Sequence, residues 1–252
     1  MSLYANISSN KKQLAILIDP DKVRDKVSFN DLLQRIQLLK PSFIFVGGST
    51  VDKEDFQNCC RLLKAKLEIP IIIFPGAHHQ ISSDADGILF LSLLSGRNPD
   101  YLVGHQVQAA PVLKKLNLEI LPTAYLLIDG GKPSSVSYVS QTTPIPNDQT
   151  TIAVNTAMAG EMMGNKLIFM DAGSGALKKV PAEMIKEVKA NITVPLIIGG
   201  GVKSIEDLDE CYKNGADIVV VGNKIEEDEN FLLDLSNYFS GKKESLKRFD
   251  SY

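Results

Sequence analysis

The sequence predicts one parallel α/β barrel, the (β/α)8 or TIM-barrel fold, as a single domain over residues 1–252. Short apolar runs alternate with helical patterns along the whole chain, and there are eight such runs. Glycine clusters directly follow several of them. Strands that are buried on both faces of a parallel sheet appear as continuous apolar runs. Eight is the number of strands that closes a barrel of this kind.

The composition is that of a folded globular protein, with 44% hydrophobic and 23% charged residues. A net charge of −3 without a basic stripe argues against nucleic acid as a partner. The three cysteines, including the adjacent Cys59 and Cys60, form neither a disulfide framework nor a metal-ligand pattern. The N-terminus is polar, and no apolar run reaches the roughly 18 residues of a membrane span. We therefore expect a cytoplasmic protein without a transmembrane segment, and contact with a membrane surface stays open.

The eight predicted strands are short, and most are apolar throughout rather than alternating. They cover Leu14–Ile18, Phe43–Val46, Ile71–Phe74, Gly87–Leu91, Leu118–Leu127, Leu167–Met170, Leu196–Ile198 and Asp217–Val221. Between the third and fourth strands, His78–Asp86 is too short for a normal helix. We therefore expect one barrel helix to be missing there.

Several of the segments between the strands carry helix signals. These signals are capping pairs at Ser28 and Asp31, at Asp52 and Asp55, and at Ser204 and Asp207, a first-turn proline at Pro181, and a C-terminal glycine at Gly215. In contrast, Lys132–Thr151 is rich in Ser, Thr and Pro and lacks periodicity. Long structureless segments in compact domains are often active-site lids, so we predict a lid loop there.

Glycine clusters follow the last three predicted strands, at Gly173–Gly175, Gly199–Gly201 and Gly222-Asn223. In an α/β barrel the functional groups lie at the C-terminal ends of the strands. Glycine lets the backbone approach a ligand closely, and consecutive N–H groups form a nest for anions. One cluster alone would fit a tight turn. Three in succession favour a phosphate site.

Oxygen donors follow the first two strands. Asp19 ends the first strand, and Ser49 follows the glycine pair after the second. Mg²⁺ usually takes only one or two protein ligands and completes its shell with water and substrate phosphates. These two residues are therefore candidates for holding one cation. A polar turn closed by Lys22 explains Asp19 equally well.

Asp171 directly precedes the first of the three glycine clusters. It is placed either to take a proton from the hydroxyl of a bound phosphate ester or to cap the loop by hydrogen bonds. The histidines are weaker candidates. His78 and His79 are neighbours whose side chains should diverge, so we do not expect a shared metal. His105 belongs to a predicted helical stretch, Tyr101–Leu116, and is expected on the surface.

Seven motifs occur in order along the chain. They are Ile18–Lys22, Val46–Thr50, Phe74–Gly76, Phe90–Tyr101, Asp171–Ala176, Gly199–Val202 and Val221–Asn223. In that order they resemble the geranylgeranylglyceryl phosphate synthase family, which includes related bacterial prenylglyceryl phosphate synthases. The resemblance covers almost the whole chain, and Ser95–Tyr101 is its most specific part.

The resemblance implies a prenyltransferase of ether-lipid biosynthesis. Such an enzyme joins a long-chain prenyl diphosphate, with geranylgeranyl diphosphate as the main candidate, to the C3 hydroxyl of sn-glycerol 1-phosphate and releases diphosphate. The resemblance further implies Mg²⁺ held by Asp19 and Ser49, a third barrel helix replaced by a loop, and a homo-oligomer. The residues that it implies for glycerol phosphate binding are Phe169, Met170, Asp171, Ala172, Gly173, Ser174, Gly175, Gly200, Gly201, Gly222 and Asn223.

The chain departs from the family pattern before the first of these glycine clusters. The family usually has Tyr-Leu-Glu there, whereas this chain has Phe169–Asp171, which lacks the tyrosine hydroxyl and has a shorter carboxylate.

For the prenyl tail we predict a groove lined by Phe74, Tyr101 and Tyr125.

Two other functions are compatible with parts of the sequence. A sugar-phosphate isomerase or lyase on a phosphate-binding barrel would explain the glycines. It would not need Asp19 together with Ser49, nor the stretch Arg97–Tyr101. A barrel that binds phosphate or prenyl ligands without catalysis is the second alternative.

Overall fold

The computed structural model describes residues 2–22, 26–222, 224–225, 228 and 230–249. Eight parallel strands close into a barrel in which β1 pairs with both β2 and β8. The strands are β1 (Gln13–Ile18), β2 (Phe43–Val46), β3 (Ile71–Ile73), β4 (Gly87–Leu93), β5 (Glu119–Leu127), β6 (Leu167–Asp171), β7 (Leu196–Gly199) and β8 (Ile218–Val221). All eight predicted strands and the predicted fold class are confirmed.

Helices surround the barrel. In the described part of the chain they include α1 (Leu3–Ser9), α2 (Lys26–Leu39), α3 (Lys53–Lys66), α4 (His105–Leu113), α5 (Ser135–Ser140), α6 (Thr150–Met162), α7 (Ala182–Ala190), α8 (Ile205–Lys213) and α9 (Asn230–Phe249). A π-helical turn, Asp100–Gly104, leads into α4. Residues 74–86, which connect β3 to β4 and are all described, contain no helix. The predicted loss of one barrel helix is confirmed at that position.

Two predicted capping pairs are confirmed. Asp52 accepts a hydrogen bond from the backbone N–H of Asp55 at 2.9 Å and begins α3. Ser204 does the same for α8 with the N–H of Asp207, at 3.1 Å. Gly215 follows the end of α8 with φ of +107°, the left-handed conformation that favours glycine after a helix.

Two predicted helix starts are wrong in position. α2 already includes Lys26, so Ser28 lies within the helix and is not its N-cap. Pro181 is the N-cap residue of α7 and lies one position before the first helical turn. Its ψ of 139° is extended. The φ of −60° that the proline ring imposes suits the N-cap position and the first helical position equally well.

The predicted lid loop Lys132–Thr151 is partly wrong, because it contains α5 and the first residues of α6. α5 is only six residues long, too short to show an apolar period. It is held by a capping box in which Ser134 and Ser137 exchange hydrogen bonds. The helix ends at Gln141, which has a left-handed φ of +52°. Local capping therefore stabilises this helix without a periodic signal in the sequence.

The strands bury two separate apolar layers. Within β2, Phe43 and Phe45 point into the barrel, whereas Ile44 and Val46 point outward beneath the helices. Ile7 of α1 is fully buried and belongs to the inner layer, so α1 packs against the barrel interior. Its N-terminus is held there because the N–H of Tyr4 donates to Glu119, the first residue of β5, at 2.9 Å. α1 therefore closes the N-terminal end of the barrel.

Asp217 fastens the N-terminal end of the barrel beside β7 and β8. Its Oδ2 accepts hydrogen bonds from the N–H of Leu196 at 2.8 Å and from Nζ of Lys189 at 2.7 Å. Lys11 donates to Oδ1. Burial alone would raise the pKa of Asp217, but these three donors hold it below its ordinary value. The buried carboxylate is thus charged, and its hydrogen bonds join β7, α7 and the segment before β1.

No described helix is both long enough and apolar enough to cross a membrane.

Candidate active site

A cavity with a volume of about 350 Å³ opens at the C-terminal ends of the strands. Every strand or the loop after it contributes to its lining. Half-buried polar groups and aromatic rings share this space with glycine backbone. The cavity therefore lies where α/β barrels place their functional groups.

The glycine clusters after β6 and β7 form one continuous part of this lining, which we call the glycine bed. Gly173, Gly175, Gly200 and Gly201 all have φ between +66° and +88°, a conformation that other residues adopt only with strain. A Cβ on Gly200 would lie 2.6 Å from Oδ1 of Asp171 and 2.7 Å from the amide nitrogen of Gly173. The two clusters are thus in direct contact, and only glycine fits between them.

Most of the predicted phosphate-binding residues line the cavity. They are Phe169, Asp171, Gly173, Ser174, Gly175, Gly200, Gly201 and Gly222. Met170 and Ala172 are buried in the outer apolar layer instead, because successive residues of a strand point to opposite faces. Asn223 lies outside the described residues.

Asp171 is almost completely buried at the edge of the glycine bed, with 8% of its surface exposed. Its Oδ1 accepts a hydrogen bond from the N–H of Gly173 at 2.8 Å, and its Oδ2 accepts one from the hydroxyl of Tyr125 at 2.6 Å. Burial raises the pKa of Asp171 above its ordinary value, and the two hydrogen bonds oppose that shift. The loop-bonding role and the proton-accepting role that the sequence leaves open are therefore compatible.

Asp19 and Ser49 line the same cavity. Oδ1 of Asp19 accepts a hydrogen bond from the N–H of Asp21 at 3.1 Å, so the two residues form a polar turn; the side chain of Lys22 lies outside the described part of the chain. The same oxygen lies against the loop after β2, since a Cβ on Gly48 would be only 2.7 Å away. A carboxylate and a hydroxyl are hard oxygen donors of the kind that Mg²⁺ prefers. The residues present therefore fit this ion.

Gln80 is a site residue that the sequence analysis missed. It is fully buried, and its Oε1 accepts a hydrogen bond from the N–H of Gly76 at 2.8 Å. Its Nε2 donates to the carbonyl oxygens of Gly48 at 2.9 Å and Val51 at 3.2 Å. One side chain thus ties the loop after β3 to the loop that carries Ser49. No pattern in the sequence around a single loop glutamine predicts such a role.

The prediction that His105 lies on the surface is wrong. Its ring stacks on His78 at a centroid distance of 5.5 Å, contacts Tyr101 edge-on at 4.7 Å, and lines the cavity. Burial and the neighbouring His78 lower the pKa of His105. The π-helical turn Asp100–Gly104 immediately precedes it and changes the helical phase that a regular helix would have. The rings of His78 and His79 are perpendicular, 5.6 Å apart.

The specific stretch Ser95–Tyr101 fastens α5 beside the cavity. Nδ2 of Asn98 donates to the carbonyl oxygen of Ser140 at 2.7 Å. The hydroxyl of Tyr101 approaches the carbonyl oxygen of Val139 at 3.4 Å. Arg97 bonds within its own turn, to the carbonyl oxygens of Leu94 and Gly96. α5 is therefore anchored, and Val136 and Val139 line the cavity.

The three predicted groove residues, Phe74, Tyr101 and Tyr125, all line the cavity. The ring of Phe74 lies 5.8 Å from that of Tyr125 and 5.1 Å from that of Phe169. Tyr125 and Phe169 belong to the inner apolar layer and form the floor of the site. Phe74 and Tyr101 both pack against this inner layer, so the apolar lining extends from the floor to both rings.

Fold and site together define a (β/α)8 barrel whose cavity combines glycine backbone, oxygen donors and an adjoining apolar surface. A crystal structure of (S)-3-O-geranylgeranylglyceryl phosphate synthase from Thermoplasma acidophilum, in complex with its substrate sn-glycerol-1-phosphate, superposes with a TM-score of 0.87. Its sequence identity is 32%, over 94% of this chain and 96% of that one. The PcrB family model matches residues 8–237, and the chain belongs to that family.

Several relatives of this chain have the name geranylgeranylglyceryl phosphate synthase. Geranylgeranylglyceryl phosphate synthase from Flavobacterium johnsoniae is 48% identical over 223 residues, which are 88% of this chain and 91% of that protein. The protein of that name from Pyrococcus horikoshii is 41% identical over 225 residues, 88% of this chain and 87% of its own length. A tryptophan synthase α-subunit from Pyrococcus furiosus, at 14% identity and a TM-score of 0.58, shares the fold alone.

Proposed function

We propose that this protein is a prenyltransferase that joins a prenyl diphosphate to the C3 hydroxyl of sn-glycerol 1-phosphate and releases diphosphate. The observation that carries the proposal is one cavity that combines a glycine bed, the oxygen donors Asp19 and Ser49, and an aromatic surface. These three parts match a phosphate ester, a diphosphate with its cation, and an isoprenoid tail. The names of the relatives and the glycerol phosphate in the Thermoplasma structure support the same reaction.

The glycine bed binds the phosphate of glycerol 1-phosphate in this proposal. Backbone N–H groups in a left-handed glycine conformation point together and create a pocket of partial positive charge. The exposed side chain of Lys203, which follows the bed and lines the cavity, adds a full positive charge at its rim. Fixing the phosphate in this way holds the glycerol hydroxyls in one orientation.

Asp171 accepts the proton of the C3 hydroxyl. A carboxyl whose pKa is raised by burial takes up a proton more readily than an exposed one, which favours it as a general base. The hydroxyl oxygen forms a bond to C1 of the prenyl group, and the bond from C1 to the diphosphate oxygen breaks. The electron pair of that bond leaves with the diphosphate.

Asp19 and Ser49 would hold Mg²⁺. When it is bound, this ion neutralises the negative charge that develops on the departing diphosphate. Asp19 contributes a half-buried carboxylate, and the turn formed with the N–H of Asp21 keeps that carboxylate at the cavity. Gln80 positions the Ser49 loop through the carbonyl oxygen of Gly48.

The prenyl tail lies along the apolar side of the cavity, which is formed by the residue after β3, by β4 and by the helix that follows. Phe74, Phe90, Leu91 and Ala109 line this side, and Tyr101 lies at the start of the helical segment. Burial of the tail removes apolar surface from water, which contributes about 25 cal/mol for each Å². This contribution grows with tail length until the groove is filled.

The deciding experiment is a two-substrate assay with prenyl diphosphates of graded length. We expect diphosphate release only when a prenyl diphosphate and sn-glycerol 1-phosphate are both present, with a prenylglyceryl phosphate ether as the product. Binding of both compounds without turnover at any length would favour a non-catalytic barrel. Conversion of small sugar phosphates, with no ether formed, would favour an isomerase or lyase.

We also propose a homo-oligomer, as the family resemblance implies. Val103 and Val107 are 56% and 65% exposed and lie one helical turn apart, so they present apolar surface to a partner copy. Light scattering on the purified protein tests this proposal, and a monomeric mass across micromolar concentrations would contradict it.

A further inference from the structure

Tyr125 and Asp171 form a buried polar pair between neighbouring strands. Tyr125 of β5 is the register partner of Phe169 in β6, and both rings point into the barrel. The tyrosine therefore reaches past the ring of Phe169, which contacts it edge-on at 5.4 Å. Its hydroxyl donates to Oδ2 of Asp171 at 2.6 Å, a distance typical of charge-assisted hydroxyl–carboxylate bonds, which are stronger than bonds between neutral groups.

The surroundings of Asp171 leave this hydrogen bond as its main electrostatic contact. The β7 side contributes Gly199 and Gly200, which carry no charge, and the loop after β6 contributes the N–H of Gly173. Among the described residues, Tyr125 is the titratable group that shifts the pKa of this carboxyl, and its hydrogen bond lowers that pKa. Burial and the adjacent carboxylate raise the pKa of Tyr125 well above its ordinary value, so its hydroxyl stays a donor throughout the neutral range.

We infer that Tyr125 is a positioning residue for prenyl transfer, one that holds the Asp171 carboxylate beside the glycine bed and directs it toward the glycerol hydroxyl. This inference rests on the role of Asp171 proposed above. The phenol bonds to Oδ2 and Gly173 to Oδ1, so the plane of the carboxylate is fixed from both sides. A carboxylate has about four lone-pair sites, so it can accept the substrate proton while it keeps both of these bonds.

The phenol neither gains nor loses a proton in this scheme. The proton moves from the glycerol C3 hydroxyl to Asp171, the new C–O bond forms, and diphosphate leaves with the electrons of the broken bond. Tyr125 remains protonated before and after the transfer. Its effect is to favour the charged form of Asp171 in the free enzyme and to preserve the geometry for proton transfer.

The test compares Tyr125→Phe with Tyr212→Phe. Tyr212 is also a buried tyrosine, and its hydroxyl donates to the carbonyl oxygen of Gln13 at 2.7 Å, at the other end of the barrel. Both variants lose one buried hydrogen bond, but only Tyr125→Phe changes the surroundings of Asp171. In Tyr125→Phe we expect kcat at neutral pH to fall about tenfold or more, with KM for glycerol 1-phosphate nearly unchanged. Tyr212→Phe should retain the kcat of the wild type.

A titration separates this inference from the proposed function. The carboxyl carbon of Asp171, followed by ¹³C NMR in the substrate-free protein and assigned with Asp171→Asn, should titrate about one pH unit higher in Tyr125→Phe. Replacement of Tyr125 by 3-fluorotyrosine, whose phenol is a stronger donor, should shift the midpoint in the opposite direction. This second variant keeps the ring and does not depend on whether the phenylalanine variant folds.

An unchanged midpoint in both Tyr125 variants, or a loss confined to KM, would overturn the inference. Absence of prenyl transfer in the wild type, with the NMR shifts as expected, would reject the proposed function and leave the Tyr125–Asp171 coupling established.

Discussion

Gly200→Ala tests the glycine bed most directly. The added Cβ would lie 2.6 Å from Oδ1 of Asp171, 2.7 Å from the amide nitrogen of Gly173 and 2.8 Å from that of Ala172. All three contacts are shorter than real Cβ contacts, and two of them involve backbone that cannot rotate away. The φ of +75° at Gly200 adds about 1–2 kcal/mol of backbone strain for alanine. The substitution therefore has to move the Asp171 carboxylate and the backbone at residues 172–173, where the N–H of Gly173 bonds Asp171 and that of Ala172 bonds the carbonyl oxygen of Gly199. A shift of this backbone displaces the glycine bed that it supports.

The loss can be estimated from one hydrogen bond between the displaced bed and the bound phosphate. Hydrogen bonds to a charged group are worth about 1.5–3 kcal/mol each, so misplacing one N–H donor should raise KM for glycerol 1-phosphate about tenfold to a hundredfold. The prenyl diphosphate should retain its KM, because it binds on the opposite side of the cavity in the proposed arrangement. Initial rates with each substrate varied at saturation of the other measure both quantities.

Gly164→Ala is the matched control. Gly164 has φ of +92°, so alanine is strained there too, but its Cβ would meet no atom within 4 Å. It follows α6, at the N-terminal end of β6 and away from the cavity. Thermal unfolding should show a loss in both variants, and KM for glycerol 1-phosphate should rise only in Gly200→Ala. Equal KM values in the two variants would refute the assignment of the bed as the phosphate site.

Three further predictions concern the metal donors and the stability of the fold. Asp19→Ala should abolish Mg²⁺-dependent turnover, measured as diphosphate release over a range of Mg²⁺ concentrations; full activity in this variant would remove Asp19 from the metal site. Gln80→Ala should lower the free energy of unfolding by about 2–3 kcal/mol, because it removes the three hydrogen bonds by which this side chain joins two loops and leaves a cavity in place of a fully buried side chain. Urea denaturation measures this loss, and a change below about 0.5 kcal/mol would contradict the role of Gln80 in joining the two loops. The folded pKa of Asp217 lies below its unfolded value of about 4, so its stabilising contribution is complete well above that value and is lost as pH falls through the folded pKa. The stability difference between Asp217→Asn and the wild type should therefore be largest near neutral pH and shrink in acid, and a difference independent of pH would contradict this explanation.

Predictions from the sequence were wrong at Ser28, Lys132–Thr151 and His105, and each of these errors has a local physical cause. Ser28 has a residue type and spacing that suit an N-cap, yet α2 already includes Lys26, so the capping pattern alone did not determine the start of the helix. α5 is shorter than the window in which a helical period can be recognised, so Lys132–Thr151 looks structureless in sequence. The expectation that His105 lies on the surface treats Tyr101–Leu116 as one helical stretch, whereas the structure has a π-helical turn at Asp100–Gly104 before α4.

The sequence by itself determined the barrel, the missing third helix, and which strand ends carry glycine and oxygen donors. These features depend on apolar runs, chain length between strands and backbone freedom, all of which are local properties of the chain. Only the tertiary structure decided that Tyr125 bonds to Asp171, that Gln80 joins two loops, and that Met170 turns away from the cavity. The first two are contacts between residues 46 and 32 positions apart, and the third follows from the inward or outward register of β6. Such pairings arise only when the closed barrel sets the register between neighbouring strands, and apolar patterning in a strand buried on both faces carries no information about that choice.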